Sequence, residues 1–196
     1  MVGIKDYHLR SDWPMFFSKK NKKADISFFV YFTKLVKYRE LLNSILKSSQ
    51  QIKLLYYFEQ TKQELEDILL AAKFTEFKIF NAREYTNSAP ETLILVEVHP
   101  LASVTDQLLS SVHFETEIQC FIGMDEVLMK LFGSEKIVGL MKTMGMKPDE
   151  AISHSMVTKS IQRAQLKLDQ KLRYAKDVKE SPEQWAIENN LDQIVL

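Results

Sequence analysis

The chain has 196 residues, of which 45% are hydrophobic, 27% charged and 11% aromatic, with only five glycines and five prolines. This composition suits one domain of good size with a helical appendage, and it excludes a disordered chain, a collagen-like repeat and a disulfide scaffold. Lys plus Arg and Asp plus Glu both number 26, so no charge excess points to nucleic acid or to a store of cations.

Residues 1–24 read as an irregular arm that ends in the basic cluster Lys19-Lys20-Asn21-Lys22-Lys23, with Trp13, Phe16 and Phe17 pinning it to the body. Asp25–Thr33 is rich in aromatic and β-branched residues and predicts a strand. Lys34–Lys47 predicts a helix whose apolar stripe is Leu35, Tyr38, Leu41, Leu42, Ile45 and Leu46. Ile52–Phe58 is a short, largely apolar strand, as expected for a sheet covered on both faces. Thr61–Lys73 predicts a second helix, with Thr61 as N-cap, Glu64 completing a capping box, and Leu65, Ile68, Leu69 and Ala72 facing inward. Phe77–Phe80 is a third strand, Glu84–Pro90 a polar loop and Thr92–Val98 a fourth strand. His99-Pro100 is expected to open a third helix, and Thr116–Ile122 to form a fifth strand.

Strands alternating with helices of this length argue for an α/β fold, a mostly parallel sheet wrapped by helices, over residues 25–122. From Gly123 the pattern turns wholly helical, giving a tail over 123–196. Asp125–Phe132, Ser134–Met144 and Ser155–Lys179 each read as amphipathic. The last carries Val157, Ile161, Ala164, Leu168, Leu172 and Ala175 on one face. Ser181-Pro182-Glu183-Gln184 opens a final helix with cap, proline and capping-box residue in place.

Several activities are excluded by what the pattern lacks. No glycine occurs between Gly3 and Gly123, and phosphate loops need glycine so that backbone amides can approach phosphate oxygens. The α/β region therefore holds neither a Walker A loop, nor a dinucleotide fingerprint, nor the Gly-x-Ser-x-Gly elbow of a serine hydrolase. No cofactor is implied. His8, His113 and His154 are far apart in sequence and make no metal-ligand spacing. The single cysteine, Cys120, lies in an alternating strand and reads as a small buried apolar side chain. The methionines concentrated in the helical half read as core. The N-terminus has no signal-peptide pattern and no apolar run is long enough to span a bilayer, so a cytoplasmic protein in a reducing compartment is expected.

Met124–Lys171 carries a dense set of recognisable motifs: Leu128-Met129-Lys130-Leu131-Phe132-Gly133-Ser134, Gly139-Leu140-Met141, Met144-Gly145-Met146-Lys147-Pro148 and Met156-Val157-Thr158-Lys159-Ser160-Ile161, continued by Ala164-Gln165. The stretch closely resembles SecA, the motor ATPase of bacterial preprotein translocase, at the end of its second motor domain and the start of its scaffold helix. A weaker resemblance runs upstream through Ile52–Glu84, ending in Asn81-Ala82-Arg83, and through Leu93–Leu108. It implies a RecA-like fold. The departures are equally informative. Nothing here corresponds to the family's first motor domain, which carries the phosphate loop. Where the family places two arginines after Gln107-Leu108, this chain has Leu109, Ser110 and Ser111. Serine cannot replace the permanently charged planar fork that stabilises phosphoryl transfer.

In open parallel sheets, ligands bind beyond the carboxyl ends of the strands. Glu59, Asn81, Arg83 and His99 are expected there as a small polar site, with His99 either a base or a helix-start residue. The tail stripe, Val157, Ile161, Leu168 and Leu172, must be covered by the α/β domain, by a second copy or by a protein partner. The resemblance then implies a catalytically inert, SecA-like interaction module related to protein translocation. Two alternatives stand beside it: an enzyme with a remodelled site at the strand ends, and a nucleotide-binding subunit completed by a partner chain.

Overall fold

The computed structural model describes residues 22–48, 52–74, 76–134, 138–139, 143, 147 and 149–191. Five strands form one sheet: β1 (Asp25–Tyr31), β2 (Lys53–Tyr56), β3 (Lys78–Asn81), β4 (Thr92–Leu95) and β5 (Glu117–Gly123). The spatial order is β1-β5-β4-β2-β3 and every pairing is parallel. Parallel strands need crossovers, which here are α1 (Lys34–Lys47), α2 (Glu59–Ala71) and α3 (Ala102–Ser111). This is the parallel α/β sheet expected from the strand–helix alternation, and it agrees with the RecA-like fold that the resemblance implies.

Alternate residues of each strand feed opposite faces of the sheet. Ile94 and Val96 join Leu54, Phe121 and the inner faces of α1 and α2, including Leu41, Leu65 and Leu69. Leu93 and Leu95 join Phe28, Cys120 and Ile122 on the other face, where Leu108 of α3 meets Ile161, Leu168 and Trp185 of the tail. The tail is therefore one wall of the larger core. Its helices among the described residues are α4 (Val127–Leu131), α5 (Ser155–Lys171) and α6 (Pro182–Glu188). Ile152 precedes α5 and pairs antiparallel with the free edge of β1, exchanging both backbone bonds with Val30 at 3.0 and 2.8 Å.

Several expectations are corrected. Leu35 and Leu46 are 80% and 68% exposed, so the buried face of α1 is narrower than its apolar stripe. In their place Lys37 is buried, beside Tyr38 and Leu41. Helix α2 starts at Glu59, not Thr61, and no side chain caps it. Thr61 lies inside the first turn and Glu64 turns outward to Lys34 and Tyr38, at 2.7 and 2.8 Å. His99-Pro100 opens no helix: the chain stays extended to Leu101, and α3 begins at Ala102. Helix α5 ends at Lys171, not Lys179. There the periodic pattern loses to tertiary bonds, because Asn189 takes the Lys176 amide at 2.8 Å and returns a bond to its carbonyl at 3.2 Å. The cap at Ser181 forms as expected, its hydroxyl accepting from the Gln184 amide at 3.0 Å. The expected arm and the helix Ser134–Met144 fall mainly outside the described residues.

Candidate functional site at the strand carboxyl ends

Helices α1 and α2 cover one face of the sheet and α3 the other, so the chain leaves β2 and β4 in opposite directions. The loops after these two neighbouring strands bound a crevice, the usual ligand position in such sheets. Of the four residues expected here, three meet. The Asn81 side-chain oxygen accepts from the Arg83 amide at 3.0 Å, and Arg83 Nη2 lies 3.1 Å from His99 Nε2. Glu59 stands apart and exposed, its carboxylate accepting from the Tyr56 hydroxyl at 3.4 Å.

His99 is 1% exposed and enclosed by rings: Phe58 stacks on it, and Tyr57 and Trp185 meet it edge-on. Burial first, then the Arg83 guanidinium, push its pKa down to about 3, against a bond from the Leu101 amide. Nδ1 faces that amide at 3.1 Å while Nε2 faces Arg83. A neutral imidazole has one lone pair in its ring plane, and both nitrogens already face N–H donors. No lone pair is left to take a proton from a substrate, which removes the general-base role. Arg83 is engaged as well: Nη1 pairs with Asp177 at 3.0 Å and the guanidinium lies over the Tyr57 ring, while its buried Nε has no hydrogen-bond partner.

The most connected group in the crevice, Glu97, was hidden in the sequence as part of an apolar strand. It is 3% exposed. One carboxylate oxygen accepts from the Tyr57 and Phe58 amides at 2.6 and 2.9 Å, and the other from the Thr61 hydroxyl at 2.7 Å. Burial pushes its pKa up to about 7, although all three bonds and nearby Lys37 oppose the rise. Lys37 is itself buried and donates to the Val96 carbonyl at 2.9 Å and to the Glu126 carboxylate. Burial also raises the Glu126 pKa, with Lys37 pulling it back. Lys37, Glu97 and Glu126, with Lys34, Thr61 and Asp125, border a cleft of about 140 Å³.

The N-terminus of α2 points into this region, and helix N-termini are ready anion sites because their first amides lack partners. Here three of those amides are taken. Phe58 donates to Glu97, Glu59 to the Lys179 carbonyl at 2.8 Å and Gln60 to the Glu180 carbonyl at 2.9 Å. The tail caps α3 in the same manner: Asp169 accepts from the Ser103 amide and hydroxyl, both at 2.8 Å. Gln165 donates to the His99 carbonyl at 2.7 Å. Ser110 and Ser111 sit at the far end of α3, their hydroxyls bonded to the carbonyls of Asp106, and of Tyr85 and Leu108.

Of the stripe expected to bind a partner, Ile161 and Leu168 are buried and Val157 and Leu172 partly so, all against the chain's own core. Cys120 is buried, and burial holds its thiol well above its ordinary range. Among the described residues, no group of three His, Cys, Asp or Glu side chains is placed to hold a metal, and no helix is long and apolar enough to cross a membrane.

No protein-family model matches the chain. It is 33% identical over 104 residues to a protein translocase subunit SecA from Christiangramia forsetii, covering 52% of this chain and 9% of that protein. Over 49 residues, 25% of this chain, it is 45% identical to SecA of Ehrlichia canis and 49% identical to SecA of Acidithiobacillus ferrooxidans, covering 6% and 5% of those proteins. The chain thus spans less than a tenth of the length of these relatives, and is related to SecA over part of its own.

Proposed function

We propose that the chain is a SecA-related protein-interaction module that performs no nucleotide chemistry and works in the cytoplasm in connection with protein translocation. The observation that carries this reading is the N-terminus of α2, where amides that could cradle a phosphate are held by Glu97, Lys179 and Glu180. A nucleotide would have to displace a buried carboxylate and two main-chain carbonyls at once. The serines at 110 and 111 and the glycine-free stretch from residue 4 to residue 122 support the same conclusion. The committed lone pair of His99 weighs against an enzyme with a remodelled site at these strand ends. The link to translocation rests on the relatives, each named as a translocase subunit.

Thermal denaturation with millimolar ATP or ADP and magnesium tests the proposal. A ligand present at 100 times its Kd adds about 2.7 kcal/mol of stability, roughly 2–4 °C for a chain of this size. No shift and no phosphate release above a buffer blank are expected. A shift of that size, or turnover in protein free of contaminating ATPase, would overturn the inert reading. The partner class is tested separately by cross-linking in cells: recovery of translocase components or their client chains is expected, and recovery of neither removes the translocation link.

A further inference from the structure

Residues 172–191 lie against the strand ends as a separate ligand would. Asp177 pairs with Arg83 at 3.0 Å. Two residues on, the consecutive carbonyls of Lys179 and Glu180 take the first two amides of α2. Eight residues after Asp177, Trp185 is 1% exposed with its ring edge-on to His99 at 5.8 Å. A carboxylate, paired main-chain carbonyls and one aromatic anchor are the features by which a groove reads an extended peptide.

The segment also keeps its shape through its own bonds. Asn189 accepts from the Lys176 amide at 2.8 Å and donates to the carbonyls of Lys176 and Trp185 at 3.2 and 2.9 Å. Its joint to α5 passes through Tyr174, which is 96% exposed. Asp177 is 59% exposed, so the ion pair that anchors its first part is weakly held. Residues 173–180 are exposed or half-buried, so this stretch opens locally before the sheet does, with Trp185 as the buried anchor beyond it.

We propose that the groove formed by Arg83, His99 and the N-terminus of α2 is a peptide-binding site, filled in cis by residues 175–185. When this strap lifts, the groove takes a peptide whose non-helical first part offers an acidic side chain and, two and three residues later, two free main-chain carbonyls, followed by a helical turn that carries a tryptophan eight residues after the acidic one. The inference rests on the reading that these strand ends hold polypeptide in place of nucleotide. The two fail separately, because peptide binding is measured without nucleotide and a nucleotide-induced stabilisation would be seen without peptide.

The test uses a fluorescein-labelled peptide of residues 174–191 and the full chain, read by anisotropy. In the wild type the cis strap competes, which weakens apparent affinity by the fraction of open molecules. Full-length protein carrying Asp177→Ala and Trp185→Ala has a weaker strap and is expected to bind the peptide about tenfold tighter or more. Adding Arg83→Ala should abolish that gain. Equal affinity for both proteins, no binding to either, or a gain that survives Arg83→Ala overturns the proposal. Should the double variant fail to fold by circular dichroism, amide exchange in the wild type decides. Glu59 and Gln60 should then exchange through an opening that leaves β4 and β5 protected, whereas one common rate for all four overturns it.

Discussion

Leu168 separates a tail that is part of the core from a tail that waits for a partner. It is fully buried on α5, in one cluster with Leu108, Ile161 and Trp185. Truncation to alanine removes its methyl groups from a site walled by α3 and the sheet, where the surroundings can collapse only partly. Such substitutions cost about 2–5 kcal/mol. With a urea slope of about 2 kcal/mol/M, the midpoint should fall by roughly 1–2.5 M. Leu166 on the same helix is 51% exposed and serves as the control; Leu166→Ala should stay within about 0.5 kcal/mol of the wild type. Leu168→Asp should be more damaging than Leu168→Ala, because it buries a carboxylate with no partner. Equilibrium urea unfolding, with sedimentation for mass, measures all three variants. If Leu168→Ala keeps the wild-type midpoint and changes only the oligomeric state, the stripe faces another molecule and the packing argument fails.

Lys37→Met should cost about 3–5 kcal/mol, since it leaves the Glu126 carboxylate buried without its cation; urea unfolding reads the loss, and recovery in a Lys37→Met, Glu126→Leu double variant checks the cause. The pKa of His99 is depressed to about 3 in the folded state, below its ordinary 6.5. Its contribution is therefore present above pH 6.5 and lost as pH falls through 3, on the order of 5 kcal/mol in total, and His99→Leu should flatten that limb of a pH series of unfolding curves. Glu97 runs the other way: raised to about 7 from 4.5, its contribution is fully present below pH 4.5 and lost as pH rises through 7, so Glu97→Gln should gain on the wild type across that interval.

How much of this was legible in the sequence depended on whether the cause lay nearby in the chain. The strands were legible because parallel strands buried on both faces read as short apolar runs, as in Thr92–Leu95. The cap at Ser181 was legible because the cap and its target lie three residues apart. Lys37 was not, because a lysine beside Tyr38 in a helix reads as solvated, and its partner Glu126 is 89 residues away. Its one signal is the i, i+4 spacing to Leu41. Glu97 was concealed by an apolar run, although a lone carboxylate just past a strand's carboxyl end is itself a flag; its donors lie 36 to 40 residues upstream. The periodicity of α5 ran on through Leu172 and Ala175 because both are apolar and half-buried, but beyond Lys171 the Lys176 amide goes to Asn189 in place of a helical acceptor. Asn81, Arg83 and His99 lie together at the strand ends, yet their sequence positions could not show that they face each other and the tail in place of an open site.

The same contacts that occupy the first amides of α2 are the ones that hold the tail. A helix N-terminus left bare in water is solvated at little cost, but α2 begins where Tyr57 and Phe58 are buried, so its first donors must be met by protein or by ligand. Glu97 meets two of these amides with one oxygen, at the cost of burying a carboxyl. Residues 179 and 180 meet the next two with neutral carbonyls, which carry no such penalty. If the strap lifts, Glu59 and Gln60 regain water while Glu97 stays in place, so the opened groove offers two amides and the Arg83 guanidinium beside a fixed carboxyl. That pattern favours a ligand whose acceptors are neutral carbonyls with a single carboxylate at the Arg83 end. A polyphosphate would bring its charge against Glu97, whereas a polypeptide backbone would not.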